Sequence, residues 1–195
     1  MPKSSLYLLG LLLVVFVTLA PPALAHGHGS RTLTLVSGNG TAPGRDPFTK
    51  FSLDQGTTWE EAYIVPKCGA PGPWDPAACA LCADPIAGTE WIAVNPDKSG
   101  PATSLYRRKF KFSPRCRDAT LEIDVHADND VTLSLNGVVF GAQPAGALPP
   151  NFQGPPEHFS TDGPFHRRWN KIGFRVRDYG NPTALDYSAT VTCHH

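Results

Sequence analysis

Between Leu121 and Gly137 apolar and polar side chains alternate almost without exception. Leu121, Ile123, Val125 and Ala127 share one parity, and Glu122, Asp124 and His126 share the other. After Asp128-Asn129-Asp130 the apolar parity resumes at Val131, Leu133 and Leu135, with Thr132 and Ser134 opposite, and the run ends in Asn136-Gly137. A period of two puts each set on its own face of a strand. Asn-Gly is the strongest short-range hairpin signal, because a type I′ turn needs positive φ at both central residues. The stretch predicts two strands joined by a tight acidic loop, then a hairpin returning over Val138 to Phe140. A chain built around such a run must bury one sheet face.

Further segments repeat the pattern. Tyr106, Phe110 and Phe112 alternate with Arg107, Lys109 and Lys111, while Arg108 falls on the apolar parity and needs a partner if buried. Ile172, Phe174 and Val176 alternate with Lys171, Arg175 and Arg177, and Tyr187, Ala189, Val191 and Cys193 supply a last inward face. Arg31 to Val36 reads as a strand and Ser37 to Pro47 as a loop carrying the sequon Asn39-Gly40-Thr41. Pro66 to Gly88 and Gln143 to Phe165 read as long loops, with Trp74 on the first and Phe152 on the second. Trp59, Trp91 and Trp169 abut strands and are expected in the core. Eight or nine short strands, no helical periodicity and no internal repeat predict an all-β, jelly-roll β-sandwich.

Ahead of this pattern, Lys3, the apolar run Leu6 to Ala20 and Ala23-Leu24-Ala25 form a secretory signal peptide. The expected organisation is a leader over 1–25, an N-terminal strand and loop over 26–50, and the sandwich over 51–195. The mature 26–195 then forms a single domain that is secreted, extracellular or periplasmic. No second apolar stretch is long enough to span a membrane after leader cleavage. The 17 Lys and Arg balance the 17 Asp and Glu, so overall charge carries no footprint of nucleic acid.

Ser52, Asp54, Gly56, Thr58 and Trp59 fit the spacing S-x-D-x-G-x-T-W. This resembles the Asp-box, a small β-hairpin motif found in sialidases and other secreted β proteins. Its physics is that of a turn: Asp accepts backbone N–H groups, Gly supplies positive φ and Trp packs behind. With one copy in a chain too short for a propeller, it is expected to be structural.

The segments TEWIAV, SLYRRKFKF, ATLEIDVHADNDVTLSLNGVVFG and WNKIGFRVRDYGNPTALDYSATV follow one another between about Trp91 and Thr192. In that order they resemble the galactose-binding-domain-like jelly rolls, found in secreted bacterial proteins and as accessory domains of glycoside hydrolases. The resemblance implies a non-catalytic binding module, carbohydrate-binding in the first instance, whose partner is a glycan or cell-surface polysaccharide. The competing reading is a structural or adhesive envelope protein without a small ligand. The cysteines and the histidine-rich start of the mature chain fall outside the pattern.

Sugar binding calls for exposed aromatic platforms with polar groups beside them. The candidates are Trp74, Asp128, Asn129, Phe152, Asp178, Tyr179 and Asn181. No pair of carboxylates in a glycosidase arrangement, no nucleophile elbow and no Cys–His context stands out, so an enzyme is not expected. Asp128 and Asp130 offer oxygen ligands for Ca²⁺, against which stands a loop whose Asp and Asn side chains bond their own backbone. A mature chain starting His26-Gly27-His28 offers an amino-terminal Cu²⁺ site, or a histidine brace as in lytic polysaccharide monooxygenases, against a mobile tail. Five cysteines in an exported chain predict disulfides and one thiol left over. In a jelly roll, strands remote in sequence become neighbours, so Cys116–Cys193 is the first expected bridge. Cys68 with Cys79 or Cys82 is the second.

Overall fold

In the computed structural model the described residues are 30–39, 43–65, 86–97, 100–111, 116, 118–143, 154–179 and 183–194. The leader, His26, His28, Cys68, Cys79, Cys82, Trp74, Phe152 and Asn181 lie outside them.

Among the described residues eleven strands form and there is no helix. They are β1 (Arg31–Val36), β2 (Gly44–Ser52), β3 (Glu60–Ile64), β4 (Ile92–Ala93), β5 (Thr103–Lys111), β6 (Asp118–Asp128), β7 (Asp130–Leu135), β8 (Val138–Gln143), β9 (Glu157–Thr161), β10 (Trp169–Arg177) and β11 (Ala184–His194). They hydrogen-bond in the order β8-β7-β10-β5-β2-β3-β4-β11-β6-β9, with β1 also paired to β11. This is the all-β sandwich expected of the alternating pattern. A front layer of β8, β7, β10, β5 and β2 packs on a back layer of β11, β6 and β9, and β3 and β4 connect them.

A large core fills the space between the layers, with a separate smaller cluster of Val65, Trp91, Ala93 and Ala184. Tyr106, Leu133, Ile172 and Phe174 enter from the front, and Leu121, Ile123, Tyr187 and Val191 from the back. The Phe174 and Tyr187 rings meet across the core at 4.6 Å between centroids. Burying this continuous apolar surface is the main stabilising term. Cys116 and Cys193 form the expected disulfide with a Cα–Cα distance of 5.6 Å, tying the entry to β6 to the end of β11.

Two expected loops are corrected. Residues 44–47 belong to β2, whose register against β3 shifts between Asp46 and Lys50. The buried Asp46 carboxylate accepts bonds from the Phe48 and Thr49 amides at 2.9 and 3.2 Å. Pro47, which has no N–H to donate, sits in that irregularity, where a strand tolerates it. The long loop from Gln143 to Phe165 contains β9, an edge strand on β6. Phe159 is its lone inward aromatic, so no alternation marked it. Arg108 is buried and has its partner, with Nη1 3.9 Å from Asp46 Oδ1 and the Phe48 ring 4.4 Å from its Cζ.

The tryptophans divide. Trp91 is in the core as expected, stacked on His126 at 5.8 Å between ring centroids. That stack buries His126, whose parity had pointed it outward; its Nε2 is 2.9 Å from the Gly154 carbonyl. Trp59 is only half-buried and Trp169 is 60% exposed. Trp169 opens β10 on its outward parity, and Trp59, in the β2–β3 hairpin, lies against the outward Arg107 of β5.

Candidate functional site

The hairpin between β2 and β3 closes as the Asp-box spacing predicts. Asp54 accepts the Thr58 amide at 2.8 Å and the Thr58 hydroxyl at 2.6 Å, and the Ser52 hydroxyl at 2.7 Å. These bonds hold its carboxyl down at about 2. Gln55 and Gly56 take positive φ at the turn. Trp59 Nε1 donates to the Gly56 carbonyl at 2.8 Å, which fixes the indole at the rim of the front layer.

Beside that indole a cleft of about 480 Å³ opens on the outer face of the front layer. Trp59 and Gln55 form one wall, Thr132 and Ser134 of β7 the other, and Arg107, Lys171, Gly173 and Arg175 the floor between them. The floor is low because position 173 has no side chain. A Cβ there would come within 2.6 Å of the Ser134 hydroxyl. The Arg107 guanidinium lies 3.9 Å above the Trp59 ring centroid. Its Nε is buried without a hydrogen-bond partner, and burial lowers its pKa. A second hollow, lined by Lys109, Asn136, Trp169, Asn170 and Lys171, continues along the same strands.

The acidic loop that the sequence singled out lies at one end of this layer. Asn129 Oδ1 accepts the Tyr179 amide at 2.7 Å, and the Tyr179 hydroxyl donates to Asp130 Oδ2 at 2.7 Å. The Asn129 amide donates to the Arg177 carbonyl at 2.9 Å. Asp128, Asn129, Asp130, Asp178 and Tyr179 are therefore gathered where β6 and β10 end and β7 begins, with Tyr179 66% exposed. Asp128 itself is 2% exposed, and its Oδ1 has no hydrogen-bond partner. Burial first, and then the Asp178 carboxylate, push its carboxyl up to about 7. Asp130 is engaged by Tyr179, and among the described residues no three His, Cys, Asp or Glu side chains converge to hold an ion.

The face around Trp59 and Trp169 was not among the sequence candidates. Its signal was present in the outward parity of Arg107, Lys109 and Lys111 and of Lys171 and Arg175. Only the pairing of β5 with β10 shows that these form one surface.

The strands thus build a jelly-roll β-sandwich with an open cleft on one sheet face. The chain matches no family model and no curated protein by sequence. Among solved structures it is similar to an FMN-binding β-glucuronidase from Facaelibacterium prausnitzii L2-6, with 15% identity, a TM-score of 0.42, and coverage of 84% of this chain and 23% of that one. It is similar also to a β-D-mannosidase from Dictyoglomus thermophilum, with 17% identity, a TM-score of 0.41, and coverage of 76% and 16%. A β-glucuronidase from an uncultured Clostridium sp. gives 11%, 0.42, 85% and 29%. The chain thus spans less than a third of the length of these neighbours. At this level the likeness carries no argument about activity.

Proposed function

We propose that this chain is a secreted, non-catalytic carbohydrate-binding module. The observation that carries the reading is the cleft between Trp59 and the Thr132–Ser134 wall. It is open, rigidly framed by strands, and combines an indole edge with hydroxyl, amide and guanidinium groups. A sugar presents the matching features: apolar C–H patches for aromatic contact and hydroxyls for directional bonds. Tyr179, clamped by Asn129 and Asp130 at the end of the layer, offers a second aromatic contact. The Cys116–Cys193 bridge suits an oxidising, extracellular or periplasmic compartment.

The test is retention of the purified protein on a polysaccharide panel, competed by free oligosaccharide. Weakened retention on replacing Ser134 or Thr132 by valine would support the cleft. No retention on any polysaccharide would sink the proposal. The alternative, a structural or adhesive envelope protein, draws on Val138 and Val139, 53% and 62% exposed on edge strand β8. Self-association abolished by Val139→Lys, with no glycan retention, would favour it.

A further inference from the structure

We infer that the outer face of β5 and β10 takes an anionic polysaccharide, one bearing carboxylate or sulfate groups. The inference rests on the carbohydrate-binding reading and names the ligand class. Register is the first ground. Lys109 stands directly opposite Lys171, and Arg107 opposite Lys50 on its other side. Side chains paired this way lie about 5 Å apart at Cβ, and like charges so placed destabilise a sheet. Glu61 of β3 stands opposite Lys50 and offsets part of that cost, but no carboxylate is in register with Arg107, Lys109, Lys171 or Arg175. Among the described residues, none of Lys50, Arg107, Lys109, Lys171 and Arg175 has a carboxylate within ion-pair distance.

Charge segregation is the second ground. Net charge is zero, yet the outward positions of β6 on the opposite layer carry Asp118, Glu122 and Asp124. Neutrality of the whole conceals a basic face and an acidic one, and a basic face concentrates anions. The third ground is preorganisation. The Trp59 ring packs against the Arg107 guanidinium, whose buried Nε has no hydrogen-bond partner. A guanidinium fixed in this way loses little entropy on meeting a carboxylate or sulfate, and its planar fork matches both.

Shape selects the glycan over other polyanions. From Trp169 to Arg175 the face runs about 20 Å along β10, taking about 3.3 Å per strand residue. The cleft is bounded by the Trp59 hairpin on one side and β7 on the other, so it fits a single chain. Single-stranded nucleic acid would need successive aromatic platforms for its bases. The described face has Trp59 at one end, braced by Arg107, and Trp169 at the other, with Lys111 Nζ 5.8 Å from its ring centroid.

Affinity is measured by calorimetry for polygalacturonate, dextran sulfate, a neutral galactan and single-stranded DNA, at two salt concentrations. The expected result is binding to one or both acidic polysaccharides that weakens as salt rises. Lys171→Glu with Arg175→Glu should weaken it by about tenfold or more, as loss of charge-assisted contacts implies. Glu122→Lys on the opposite layer should not weaken it. Both changes are at exposed positions, and an unchanged melting curve shows that each variant folds. Arg107→Lys keeps the charge and loses the fork, and should bind more weakly than the parent. Salt-insensitive binding to the neutral galactan alone would overturn the inference and leave the module reading standing. No binding to any polysaccharide would remove both. Tighter binding to DNA than to either acidic polysaccharide would reassign the face to nucleic acid.

Discussion

Arg107 and Trp59 join two parts of the front layer that the chain keeps 48 residues apart: the guanidinium of β5 lies 3.9 Å above the indole that closes the β2–β3 hairpin. The indole also donates to the Gly56 carbonyl. Trp59→Ala removes both interactions and should cost about 1–2 kcal/mol of stability, from a half-exposed cation–π contact and one hydrogen bond. Trp59→Phe should recover only the ring contact. Urea unfolding of the two variants and the parent, followed by circular dichroism, checks the order.

Asp128 makes stability depend on pH in an unusual direction for a carboxylate. Its folded value of about 7 stands above the roughly 3.9 of an unfolded chain. Between those values the folded state keeps a proton that the unfolded state has lost. The contribution is therefore whole below about pH 4 and lost as pH rises to about 7. Asp128→Asn should stabilise the protein at pH 8 by on the order of 2 kcal/mol and leave it unchanged at pH 4. Melting temperatures across that range, parent against variant, give the reading. A variant that is destabilised equally at all pH values would contradict it.

Cys116 and Cys193 close a loop of 77 residues. In the chain-entropy model, reducing the bridge or replacing both cysteines by serine should cost about 4–5 kcal/mol. Non-reducing digestion and peptide mapping should recover the linked pair, and denaturant unfolding with and without reductant should show the loss.

Asp46 is fully buried, and it serves the amides of Gly38, Phe48 and Thr49 as well as the Arg108 guanidinium. Asp46→Ala should cost about 3–5 kcal/mol, mostly because a buried cation loses its partner. The Asp46→Ala/Arg108→Met double variant should be more stable than Asp46→Ala alone. A double-mutant cycle in urea measures the coupling.

Local pattern made much of the fold readable. Asn136 and Gly137 adopt φ of 52° and 93° as an Asn-Gly hairpin requires, and the apolar parities of β5, β6, β7, β10 and β11 all face the core. Edge strand β9 was invisible for the same physical reason that the others were visible. A strand with a single, partly buried aromatic has no period to detect. Asp46 made β2 unreadable, because a buried carboxylate satisfying the amides of an irregular turn looks, in sequence, like any polar loop residue.

Local alternation sets the faces: which side chains each strand turns inward, where it turns, and which carry charge outward. Which strands lie side by side is a matter of the folded whole. Residues 107 and 173 are remote in the chain and adjacent in the sheet, as are Asn129 and Tyr179 at the end of the layer. Pairing partners are chosen by how all the apolar faces close over one core, a property of the whole chain that no window of it contains. That choice turned separate alternating cations into one basic surface, and moved Trp59 and Trp169 from the expected core to its rim.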